Sequence, residues 1–87
     1  MRADLDQLSE RLQALAPQRL EWGDDSHLHA GHAGAREGGH YRLFMVSPRF
    51  AGMTRVARHR LIYDALGPLG ALGVHALQID AKAPDEV

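Results

Sequence analysis

A histidine- and glycine-rich stretch in the middle of the chain sets the first limit on how it can fold. Residues 27–40 read HLHAGHAGAREGGH and hold four of the six histidines. Small residues and glycines supply no hydrophobic core, and glycine is a poor helix former. The stretch therefore predicts an exposed hairpin loop, residues 27–39, between two structured segments. Because neutral imidazole is the commonest metal ligand in proteins, this pattern also raises the hypothesis of metal binding.

The length of 87 residues predicts a single domain with one core, spanning about residues 4–81. No apolar run approaches the roughly 20 residues that a membrane span needs. The first residues, MRADLD, contain no apolar signal segment. We therefore expect a cytoplasmic protein that does not bind membranes.

The sequence contains no cysteine. This excludes disulfides, thiolate catalysis and any iron–sulfur cluster held by sulfur from these residues. If such a cluster is bound, a partner must provide the thiolates.

The charge is unevenly distributed although the net charge is only −1. Residues 36–60 carry six arginines and one glutamate, whereas both flanking segments are acidic. Such a basic region is typical of a solvated face, with an anion-binding or partner-binding site as the alternative.

Leucines at positions 5, 8, 12 and 15 predict an amphipathic first helix, because they are spaced three and four residues apart. Asp4 is the expected N-cap, and Pro17 is expected to end the helix. The alternating segment 19–22 then predicts a short strand with Trp22 in the core. Residues 40–46 predict a second, more buried strand that pairs with the first as a hairpin.

A second helix is predicted over residues 55–66, with Thr54 as its cap. Arg58 lies within the apolar arc of this helix and needs an explanation. Either its aliphatic stem packs while the guanidinium reaches solvent, or that side of the helix is an interaction surface.

Residues 74–81 alternate and predict a third strand, with Val74 and Ala76 on one face and His75, Leu77 and Ile79 on the other. The order is helix, strand, strand, helix, strand. A helical crossover favours a third strand parallel to the second, with both helices on one sheet face. The expected architecture is a two-layer α+β domain with a three-stranded mixed sheet.

Four segments resemble, in the same order, the sequence signatures of the BolA family. They are His40-Tyr41-Arg42 after the loop, the segment 46–52 (VSPRFAG), the segment 58–63 (RHRLIY) and the segment 74–77 (VHAL). The family fold is similar to a class II K-homology domain, which agrees with the predicted order of elements. Family members commonly continue into a further helix, whereas here we expect a polar tail, residues 82–87, with at most one helical turn.

The resemblance implies a heterodimer with a monothiol glutaredoxin. In the BolA family this complex holds a [2Fe–2S] cluster bridged by the cysteine of the glutaredoxin, the thiol of glutathione and histidine of the BolA-type partner. The family's ligand matches His75, and the second ligand matches His29, with His32 as the competitor. His40 matches a family histidine that we interpret as structural. The isolated chain, a monomer or weak dimer, is not expected to hold the cluster by itself.

Three functional classes remain at this point. The first is the non-enzymatic iron–sulfur adaptor in cluster trafficking or iron and redox sensing, with Arg58, His59 and Arg60 as the docking face. The second is a nucleic-acid-binding transcriptional regulator, with DNA as a possible partner, that would use the K-homology-like fold and the arginine-rich second helix. Its phosphate-contacting residues would be Arg42, Arg49, Arg55, Arg58 and Arg60. The third is a stand-alone metal-binding module. No catalytic constellation is present, since the adjacent residues Asp24-Asp25-Ser26-His27 cannot adopt the geometry of a triad.

Overall fold

The computed structural model describes residues 3–25 and 39–87. Helix α1 spans Leu5–Leu12, strand β1 Arg19–Asp24, strand β2 Gly39–Val46, helix α2 Arg55–Leu66 and strand β3 Val74–Lys82. The strands form one sheet in the order β1-β2-β3. β1 is antiparallel to β2, and β2 is parallel to β3. The predicted α+β architecture with a mixed three-stranded sheet is confirmed.

Both helices begin at the predicted caps. The Asp4 carboxylate accepts a hydrogen bond from the backbone N–H of Gln7, and the Thr54 hydroxyl accepts one from that of Ala57. α1 ends before Pro17, because the chain tightens into a 3-10 turn at residues 13–15 and Ala16 then adopts a left-handed conformation. This turn keeps Leu15 buried, so the leucine stripe continues past the α-helix.

The core lies between the helices and one face of the sheet. Tyr41, Leu43 and Met45 of β2 are each at most 3% exposed. They belong to one cluster with buried leucines and isoleucine of both helices, Leu8, Leu12, Ile62 and Leu66. Both helices therefore cover the same side of the sheet. No described helix covers the opposite side, which we call the open face and which carries His40, Arg42 and Phe44 of β2.

Trp22 is only half-buried at the edge of this cluster, and its indole N–H donates a hydrogen bond of 2.7 Å to the Ser9 hydroxyl. The bond fastens β1 to α1. The Arg11 guanidinium of α1 donates a hydrogen bond to the carbonyl of Leu66 at 2.7 Å. This contact satisfies a terminal carbonyl of α2 that has no partner within the helix.

The end of the chain differs from the polar tail expected over residues 82–87. β3 includes Lys82, Ala83 is only 1% exposed, and residues 84–86 form a 3-10 turn. The Glu86 carboxylate accepts hydrogen bonds from the Arg58 guanidinium at 2.5 and 2.9 Å and from the Ala83 backbone N–H at 2.6 Å. The last residues therefore pack against α2.

These contacts also account for the arginine within the apolar arc of α2. The Arg58 side chain donates further hydrogen bonds to the carbonyls of Met53 and Ala81, both at 3.0 Å. The bonds from Arg58 and from the Ala83 backbone lower the pKa of Glu86 from 4.5 to about 2. The same hydrogen bond to Glu86 raises the pKa of Arg58.

We expect Glu86→Gln to lower the free energy of unfolding at neutral pH, because the charge-assisted bonds to Arg58 are lost. The native pKa of Glu86 lies below its ordinary value, so its contribution is complete above pH 4.5 and fades as the pH falls towards 2. Urea unfolding between pH 7 and about pH 3 should show the wild type and the variant converging. Glu10→Gln, at an exposed carboxylate of α1, is the control. A difference that does not depend on pH would contradict this account.

We expect Gly39→Ala to destabilise the fold by about 1–3 kcal/mol, because a Cβ at this position would collide with the buried ring of Tyr41. The Tyr41 hydroxyl also accepts a hydrogen bond from the backbone of Ala3, which restricts movement of the ring. Urea unfolding measures the loss. Gly70→Ala is the matched control, since its Cβ would meet nothing within 4 Å. Equal stability of the two variants would show that the Tyr41 ring accommodates a Cβ at position 39 without loss of stability.

Candidate functional site

His75 lies in an irregularity of the parallel ladder between β2 and β3. Gly39 pairs with Val74, but the next residue of β2, His40, pairs with Ala76. His75 is therefore the extra residue of a β-bulge, in which two residues of one strand oppose one of its neighbour. Bulges of this kind redirect side chains and are frequent next to functional sites.

The bulge changes which side chains of β3 face the core. Val74 is 4% exposed, His75 and Ala76 are exposed, and Leu77 and Ile79 are half-buried against the core. The predicted grouping of His75 with Leu77 and Ile79 on one face is therefore wrong. The inserted residue shifts the alternation by one position, so His75 stays at the surface while the apolar residues after it return to the core.

His40 contributes a second imidazole at the same place. Its ring centre lies 5.1 Å from that of His75, with an angle of 49° between the ring planes. His40 is half-buried on the open face, and its carbonyl accepts a hydrogen bond of 2.7 Å from the backbone of Asp25. The end of β1 thus supports the strand position from which the His40 ring projects.

The charged groups next to this histidine pair compensate each other. Arg42 lies two residues after His40 on the open face, and its Nε donates a hydrogen bond of 2.7 Å to the Asp25 carboxylate. The Arg42 side chain crosses over Gly23 of β1, where a Cβ would obstruct it. Glycine at this position therefore permits the ion pair.

The three residues predicted to form a docking face do not point in one direction. Arg58 is buried and bonded to Glu86, His59 is half-buried, and Arg60 is exposed. Consecutive residues on a helix are about 100° apart, so a single face cannot present all three equally. His59 instead lines a cavity together with Tyr63 of α2 and Leu77 and Ile79 of β3.

The five arginines of the basic region are distributed over several surfaces. Arg42 is on the open face, Arg49 follows β2 and approaches the carbonyl of Ala14, and Arg58 is held by the C-terminal turn. Arg55 and Arg60 are exposed on α2, and within residues 3–25 and 39–87 neither has an ion-pair partner. The structure therefore does not unite the five into one cationic patch.

The predicted second ligands, His29 and His32, lie outside the described residues. Of the three predicted ligands, the structure describes only His75, and the residue that it places beside His75 is His40. His40, which the family resemblance led us to interpret as structural, lies beside His75 because of the bulge, which the predicted alternation of β3 does not contain. The one available signal was the pattern of Val74, Leu77 and Ile79, whose spacing departs from the period of two.

In the part of the chain that the structure describes, no helix is long and apolar enough to cross a membrane. No group of three or more His, Cys, Asp or Glu side chains in that part could hold a metal ion. Among the described residues the histidine pair is therefore an incomplete ligand set, and any further ligand lies outside them.

Comparisons with known proteins identify the fold and the family. The BolA domain of SufE1 from Arabidopsis thaliana superposes with a TM-score of 0.79 at 47% identity, covering 94% of this chain and 93% of that one. The UV-induced protein uvi31 of Schizosaccharomyces pombe is 43% identical over 86% of this chain and 79% of its own length. BolA-like protein 1 of Mus musculus is 47% identical over 83% of this chain, which spans about half (51%) of the mouse protein. The family model for BolA-like proteins matches residues 12–86, and the chain belongs to the BolA-like family.

Proposed function

We propose that this protein is a non-enzymatic partner of a monothiol glutaredoxin and contributes histidine to a [2Fe–2S] cluster shared by the two proteins and glutathione. Its role would lie in iron–sulfur cluster trafficking or in iron and redox sensing. Family membership supports this proposal, and the observation that carries it is the exposed imidazole of His75 on a bulge between parallel strands.

The residues present fit such a shared group. The sequence offers imidazoles and no thiol, so its donors complement a partner that brings sulfur. Imidazole is an established ligand to iron in [2Fe–2S] centres of the Rieske type, where it replaces cysteine on one iron and raises the reduction potential. When bound, the cluster supplies the electron-transfer or iron-transfer chemistry. The part of this chain is to present and orient its histidine.

The bulge explains how His75 is presented. Ala76 occupies the paired position opposite His40, so the backbone of His75 lies outside the regular pairing of the two strands. Val74 before it is buried, and the backbone N–H of Val74 donates to the carbonyl of Leu69 at 3.0 Å. The ligand therefore projects from a rigid strand into the surface region that a partner can reach.

The contacts of Arg58 refine the proposed docking face. The Arg58 guanidinium is hydrogen bonded to Glu86, so this side chain connects α2 to the C-terminal turn and is not available for docking. We propose that docking uses the exposed Arg60 and the cavity lined by His59 and Tyr63. Arg60 has no ion-pair partner among the residues that the structure describes, and its positive charge suits a carboxylate of glutathione or of the glutaredoxin.

Nucleic-acid binding remains the alternative, with less support from the geometry. Two of its five arginines, Arg42 and Arg58, are engaged in ion pairs within the protein. Phosphate contacts would make the affinity for DNA fall steeply with salt concentration. An absence of binding at low salt would dispose of this alternative.

We predict that His75→Asn changes the visible absorption and circular dichroism of the cluster formed with a monothiol glutaredoxin and glutathione. Asparagine keeps a polar side chain at the bulge but removes the imidazole ligand. Reconstitution of the cluster with both proteins present measures the effect. Gln7→Ala, at an exposed position of α1 that does not line the proposed docking cavity, should leave the spectrum unchanged.

An unchanged spectrum for His75→Asn would contradict the proposed role of His75. NMR titration with apo-glutaredoxin then separates ligation from docking. A variant that still docks but forms an altered cluster has lost a ligand, whereas failure of the wild-type chain to dock would contradict the proposed partnership.

A further inference from the structure

We infer that His40 and His75 form a two-imidazole site for one divalent transition-metal ion, and that this chain offers the site without any partner protein. The inference does not rest on the proposed function, although the two share His75. It concerns a single ion and a pair of residues on adjacent strands, and it assigns a ligand role to His40.

The distance between the rings carries the argument. Two imidazoles that ligate one tetrahedral zinc ion through Zn–N bonds of about 2.0–2.1 Å have ring centres about 5 Å apart. The observed separation is 5.1 Å. The ring planes are tilted by 49°, so the rings are not stacked face to face. This separation and tilt are compatible with one nitrogen of each ring binding a common ion.

The backbone holds both residues in this relation. His40 is in the central strand, which is paired on both sides, and the bulge places His75 and Ala76 opposite it. Ala76 is small, so no bulky neighbour stands at the paired position. Sites built on strands hold their ligands more accurately than sites built on loops, which favours this pair as a metal-binding element.

The local charge does not oppose a cation. The nearest positive group along β2 is Arg42, and it is compensated by the Asp25 carboxylate at 2.7 Å. With no third His, Cys, Asp or Glu ligand among the described residues, water completes the coordination. Imidazole suits zinc, copper, nickel and iron, so Zn²⁺ is a suitable probe.

The test has to separate this pair from the histidines of the loop. We would use the full chain with His27, His29 and His32 changed to asparagine, and titrate it with Zn²⁺ by isothermal calorimetry. We expect this background protein to bind one Zn²⁺. The imidazole ¹H–¹³C resonances of His40 and His75 should shift together during the titration, and those of His59 should not.

Each ligand is then removed from the background protein. We expect His40→Asn and His75→Asn each to weaken Zn²⁺ binding by at least about tenfold, since even the loss of outer-sphere partners of a metal costs ten- to a hundredfold in affinity. His59→Asn, at a histidine of α2, is the matched control and should bind as the background protein does. Urea unfolding of each variant without metal checks that the fold is retained, and His40→Phe keeps the ring volume if His40→Asn does not fold.

Two results would overturn the inference. One is that the background protein binds no Zn²⁺, and the other is that a folded His40 variant binds as tightly as the background protein. Either result leaves the glutaredoxin proposal standing, because that proposal depends on His75 and a shared cluster. Conversely, Zn²⁺ binding at this pair in a chain that fails to dock with glutaredoxin would support the ion site alone.

Discussion

The fold depends on the burial of one face of the central strand. β2 is hydrogen bonded to β1 on one side and to β3 on the other, and its core-facing side chains Tyr41, Leu43 and Met45 are almost fully buried. Both helices pack against this one row. Because side chains alternate along a strand, burying the row places His40 and Arg42 on the opposite face. The position of the first imidazole is thus a consequence of core packing.

At the end of β2, burial against the same core requires the polar side chain of Ser47 to be hydrogen bonded. Ser47 is fully buried, its hydroxyl donates a hydrogen bond of 2.5 Å to the carbonyl of Leu15, and it accepts one from the backbone N–H of Arg49. A buried carbonyl without a partner would cost about 1–3 kcal/mol. Ser47 therefore satisfies the end of the first helical segment and begins the turn towards α2.

Most of the fold follows from the sequence because the relevant signals are local. The leucine spacing of α1, the caps Asp4 and Thr54, and the helix–strand order all act over a few residues, and the structure agrees with them. The bulge at His75 does not have a local cause. It depends on the register of β3 against β2, which is set by the burial of Val74 before it and of Leu77 and Ile79 after it.

The role of Arg58 could not be predicted from the sequence, because it also depends on a contact between residues that are distant along the chain. Its partner Glu86 lies 28 residues further along the chain, in a segment that reads as polar and unstructured by composition. Only the crossover that brings β3 beside α2 joins the two. The guanidinium then binds the Met53 and Ala81 carbonyls as well as the carboxylate, so one side chain ties α2, the end of β3 and the C-terminal turn together.

The bulge and the Arg58 contacts act at opposite ends of β3. At one end, an extra residue frees His75 from the ladder beside His40. At the other, Arg58 and Glu86 fix the strand to the helix layer. Because the strand is held firmly at its end and packed through Leu77 and Ile79 along its length, the irregularity is confined to His75. An imidazole displayed in this way is accessible to another molecule without a change in the register of the sheet, so binding at this position need not disturb the core.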